Sequence, residues 1–74
     1  MIEPLPMYVV YKNPSDYPGK FVVRRFLVTT EVLADIRPTA VAYSIEAARQ
    51  SVPAGLICTP RAHGDDPVII ETWF

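Results

Sequence analysis

Phe21-Val22-Val23-Arg24-Arg25-Phe26-Leu27-Val28-Thr29 is the stretch that decides the fold. It is built from β-branched and aromatic residues with two arginines and contains no glycine or proline, the composition of a strand. A period of two puts Phe21, Val23 and Leu27 on one side and Val22, Phe26 and Val28 on the other. A sheet with one wet face alternates apolar and polar residues along its strands. This strand is apolar on both sides, so both faces of its sheet need cover.

The same pattern continues outward. Met7–Lys12 reads as a strand with Tyr8 and Val10 on one face and Met7, Val9 and Tyr11 on the other. Between the two, Asn13-Pro14-Ser15-Asp16 suits a type I turn and Tyr17-Pro18-Gly19-Lys20 a type II turn, with Gly19 taking the positive φ of its third position. The two strands should therefore form a long hairpin. Toward the C-terminus, Asp35-Ile36-Arg37-Pro38 reads as a turn within an ambiguous segment, 30–38, which could fold over the sheet. A short strand at Thr39–Tyr43 is then followed by a helix at Ile45–Ser51. Ser44 is its N-cap, Glu46 favours its first turn, and Pro53 and Gly55 mark its exit. Val41, Ile45, Ala48 and Val52 also fit one longer helix from Thr39; strand plus short helix is preferred. So short a helix must be held by packing Ile45, Ala48 and Val52 onto the sheet. Leu56–Pro60 and Val68–Phe74 complete the strands. In the last, Val68, Ile70 and Phe74 share one face, and Ile69 and Trp73 the other.

The order is β-β-β-α-β-β: an α+β domain with a mostly antiparallel sheet of four to five strands and one short helix. Its strand-helix-strand segment could supply one parallel pair by a right-handed crossover. With 74 residues and 8.3 kDa, residues 1–74 form one small domain. Folding buries about three-fifths of the surface of so short a chain. Half the residues are apolar, which argues against disorder, and the formal charge of −1 supplies no field for steering nucleic acid or anionic lipid. The single cysteine, Cys58, cannot close an internal disulfide. With an acidic Met1-Ile2-Glu3-Pro4 start and no apolar run beyond Met7–Tyr11, the expected compartment is the cytoplasm, without membrane contact.

Tyr8-Val9-Val10-Tyr11, Pro14-Ser15-Asp16-Tyr17-Pro18 and Phe21-Val22-Val23-Arg24-Arg25-Phe26 occur in order with Ser44-Ile45-Glu46-Ala47-Ala48-Arg49, Pro53-Ala54-Gly55-Leu56 and Asp65-Asp66-Pro67-Val68-Ile69-Ile70-Glu71-Thr72-Trp73. Over most of its length the chain so resembles a group of short uncharacterised bacterial and prophage-borne proteins. The resemblance implies no activity and no site residue.

Several constellations invite a chemical reading. Cys58, His63 and Asp65, with Asp66 beside them, are metal-capable, and Cys58 with His63 is a conceivable nucleophile and base. The set matches no ligand spacing and lacks a third orienting group, and a polar surface turn plus an inert apolar cysteine explains it more simply. Arg24 and Arg25 must leave the sheet on opposite faces. With Tyr17 and Lys20 they could read phosphate, but ion pairs to Asp65, Asp66, Glu71 or Asp16, the first three preferred, are the simpler expectation. Tyr17, Lys20, Arg24, Arg25 and Trp73 are the candidate interaction residues. Neither a catalytic residue nor a cofactor or metal site is expected. The leading reading is a non-enzymatic module that forms a homodimer or binds another protein. The alternatives are a small nucleic-acid binder using Lys20, Arg24 and Arg25, and a small enzyme or metal protein using Cys58, His63 and Asp65.

Overall fold

The computed structural model describes residues 3–61, 64 and 66–74. Six strands and one helix follow in the order β1 (Leu5–Lys12), β2 (Phe21–Val28), β3 (Val32–Ala34), β4 (Ala40–Ala42), α1 (Ile45–Gln50), β5 (Cys58–Pro60) and β6 (Ile69–Trp73). The sheet order is β3-β2-β1-β6-β5, with β4 also on β2. The class is α+β, as the periodicity indicates, with one strand more than expected. That strand is β3, from the ambiguous segment 30–38, which joins the edge of the sheet and does not fold over a face.

The β1–β2 hairpin is the spine. Leu5 pairs with Val28 and Lys12 with Phe21, without interruption between. Its loop differs from expectation by one residue at its first turn. The Tyr17 N–H donates to the Pro14 C=O at 3.0 Å, so Ser15 and Asp16 occupy the centre of that turn. Asn13 takes a φ of 54°, a conformation asparagine tolerates, and its side chain accepts from the Gly19 N–H at 2.6 Å. The second turn is as expected: Lys20 N–H donates to Tyr17 C=O at 3.3 Å and Gly19 has a φ of 76°. A side chain on Gly19 would meet nothing within 4 Å, so substitution there tests backbone strain alone. Gly19→Val is expected to cost at least about 1 kcal/mol of unfolding free energy. An unchanged urea midpoint would contradict the turn assignment.

On its outer edge β2 carries two short strands. Phe26–Val28 pairs with β3 and Phe21–Val23 with β4. Between them residues 35–39 leave the ladder opposite Arg24 and Arg25, anchored by Asp35 N–H to Arg25 C=O at 3.1 Å and Thr39 N–H to Val23 C=O at 2.7 Å. Both strands run antiparallel to β2, and β5 pairs antiparallel with β6 on the far side. The strand-helix-strand segment therefore makes no parallel pair: α1 carries the chain from one side of the sheet to the other. The longer-helix alternative from Thr39 is likewise replaced by β4.

The helix begins where Ser44 caps it, its hydroxyl accepting from Ala47 N–H at 3.1 Å. Ala48 packs with Val10, Val23 and Ala42 as a core cluster, joined by Tyr8, Phe21, Ala40, Ile45, Val52, Ile70 and Trp73. Ile45, Ala48 and Val52 thus hold the helix to the sheet. A register shift between Val10 and Tyr11 against β6 overturns one expected alternation. Trp73 lies opposite Tyr8, and Glu71 opposite Val10. Ile70 joins the same core despite its odd spacing from Trp73, because a bulge resets the period of two.

Candidate interaction surface

Of the residues singled out in the sequence, most are consumed by the fold itself. Arg24 pairs with Asp16 of the hairpin loop. Arg25 makes a two-pronged contact with Asp35, at 2.9 and 3.2 Å, and that carboxylate holds the guanidinium pKa above its ordinary value. Arg24 thus takes Asp16, an acceptor the sequence offers but does not favour, and Arg25 takes Asp35, which lies outside the expected set. Asp65, like His63, lies outside the described residues. Lys20 sits over the Tyr43 ring, 4.5 Å from its centroid, and Tyr17 is half-buried. Arg24 and Arg25 leave opposite faces of β2. Trp73 sits two strands away, on β6. The five candidates do not converge on one site.

Glu71 is the sole buried charged residue among those described, with 4% of its surface exposed. Its Oε1 accepts from Arg49 Nη2 at 2.8 Å and its Oε2 from Arg49 Nε at 3.1 Å and from Trp73 Nε1 at 2.6 Å. Sequence reasoning missed this cluster, because Arg49 and Glu71 are 22 residues apart and only the sheet order brings β6 within reach of the Arg49 side chain. The Arg49 hydrogen bonds hold the Glu71 carboxyl below the usual carboxylate range, against the opposing effect of burial, with Trp73 adding to the shift. Desolvation, reinforced by Glu71, pushes the nearby Cys58 thiol up, although the residue itself is exposed.

The lowered Glu71 pKa has a consequence in acid. A carboxyl whose folded pKa lies below its unfolded value adds stability that is complete above the unfolded value, about 4.3. That stability is lost as pH falls toward the folded value. Wild-type urea midpoints are therefore expected to fall more steeply below about pH 4 than those of Glu71→Gln. Parallel curves for the two proteins would contradict this.

With the polar candidates engaged, apolar surface remains, and it is unevenly distributed. One end of the sheet is covered on both sides, although Val41 and Tyr43 stay exposed at its β4 edge. There α1 lies against β2 and β4 on one face. On the other, Arg24 reaches Asp16 in the hairpin loop, Pro14 is buried and Val22 is fully buried. Tyr11 belongs to this side too; burial raises its phenol pKa, and the charges of Arg24, Asp66 and Asp16 act on it.

The opposite end is bare. Across it run the register pairs Leu5–Val28 and Val28–Val32 on one face, and Pro6–Leu27 and Leu27–Leu33 on the other. Leu5 is 53%, Val32 61% and Leu33 51% exposed. The fold also exposes 5217 Å², about 600 Å² more than a folded monomer of this mass ordinarily does. Among the described residues no helix is long and apolar enough to cross a membrane. Comparison with family models, curated proteins and solved structures gives no match for the chain.

Proposed function

We propose that this protein is a non-enzymatic interaction module that associates with a second copy of itself through the bare end of its sheet. The observation that carries the reading is the exposed apolar surface at the one end covered by neither α1 nor the hairpin loop, with Leu5 and Val32 on one face and Leu33 on the other. Exposed apolar surface of this kind marks interaction sites, and closed two-fold pairing is the commonest way soluble chains cover it. The engagement of Arg24 by Asp16 and of Arg25 by Asp35 favours this reading over one in which those arginines read phosphate. The resemblance to short prophage-borne proteins supports a role as an accessory phage or prophage product.

Self-association that stabilises the folded state makes the melting temperature depend on protein concentration. Tm is expected to rise steadily between micromolar and millimolar protein. A Tm constant over that range would overturn the proposal.

A further inference from the structure

Resting on the self-association proposed above, we infer that the second copy adds edge to edge along β3, so that two sheets become one across a two-fold axis. The backbone directs this. Asp35 N–H donates to Arg25 C=O and Thr29 N–H to Glu31 C=O, and Leu27 pairs with Leu33. Residues 31, 33 and 35 thus face β2, and the alternation of an antiparallel ladder turns the N–H and C=O groups of Val32 and Ala34 outward. β3 ends the sheet order, so among the described residues those groups face no further strand.

Comparison of the edges singles out β3. On β5, Ile57 and Phe74 exchange both backbone hydrogen bonds, at 2.8 and 3.0 Å. The alternation therefore puts Cys58 and Pro60 on the outer side, where Pro60 has no N–H to offer. That is a common device for blunting an edge. β4 is bracketed by Pro38 and α1. β3 is as short as β4, but it reads Val-Leu-Ala, with no proline, charge or bulge within it, so its outward backbone groups stay open to pairing with another chain.

A second copy of this chain fits the edge in register. With Val32 opposite Ala34 across the axis, Leu33 meets Leu33 on one face, and the exposed row led by Leu5 and Val32 continues from one copy into the next. Glu31 then approaches Asp35, whose charge is already met by Arg25 at 2.9 Å.

Val32→Pro tests the pairing. It deletes an outward N–H and leaves the bonds between β3 and β2 intact, whereas Val32→Ala trims the side chain and keeps the N–H. Sedimentation at millimolar concentration is expected to show dimers for wild type and Val32→Ala and monomer for Val32→Pro. A Val32→Pro dimer would overturn edge pairing while leaving self-association standing, and a monomeric wild type would overturn both. Hydrogen exchange on the unmutated protein guards against a Val32→Pro chain that does not fold. The Val32 and Ala34 amides are expected to be at least tenfold more protected at millimolar than at low micromolar concentration. Equal protection at the two concentrations would overturn the inference.

Discussion

Glu71→Ala is expected to destabilise the protein by about 2 kcal/mol, the worth of hydrogen bonds to a charged group that is out of water. The substitution removes both Arg49 contacts and leaves Trp73 Nε1 without its acceptor. Arg49 is half-exposed and regains water, which holds the loss below the roughly 3–5 kcal/mol of broken buried pairs. For a chain this short, about 2 kcal/mol is a large share of a total of roughly 4–11 kcal/mol. Glu71→Gln keeps an acceptor for Trp73 and should lose about half as much. Trp73 is the single tryptophan, so its fluorescence reports urea unfolding from within the cluster. A Glu71→Ala midpoint equal to wild type would show that the cluster contributes nothing to stability.

The second large effect concerns association. Leu33→Lys and Leu5→Lys each place an ammonium group on the bare end. In a two-fold interface each substitution counts twice, and the pair must be desolvated or the interface opened. Either change is expected to raise the dimer dissociation constant at least about a hundredfold. Because Leu5 and Leu33 are more than half exposed, monomer stability should move by no more than about 0.5 kcal/mol. Ala47→Lys, on the exposed outer side of α1, adds the same charge at the covered end and should leave association unchanged. Equal weakening by all three variants would indicate a general charge effect and would contradict the assignment of the surface.

The hairpin, the Ser44 cap and the α+β class were legible in the sequence because each is decided within a few residues. Gly19 needs only its own turn, Ser44 only the N–H three residues on, and Phe21–Val28 only its alternation. β3 was not legible. Val32-Leu33-Ala34 has neither length nor periodicity, and it forms because β2 presents Phe26, Leu27 and Val28 as a template. The bulge opposite Val10 and Tyr11 was hidden as well, since a period of two carries no mark of the residue at which it resets. The Arg49–Glu71–Trp73 cluster depends on the sheet order. So does the pairing of Arg25 with Asp35, which arises where residues 35–39 leave the ladder. The excess of apolar strand surface was visible from the alternation. Which end stays bare was not, because the cover comes from a loop folded back on one face and a helix on the other.

The claim that joins these observations is that one end of the sheet is built to meet a second copy of the chain. Sedimentation equilibrium of the wild-type protein at micromolar to millimolar concentration tests it most directly. The account predicts a mass that rises from 8.3 kDa to twice that value and fits a single monomer–dimer equilibrium. A mass that stays at 8.3 kDa throughout would contradict it and show that the chain tolerates its bare end in water.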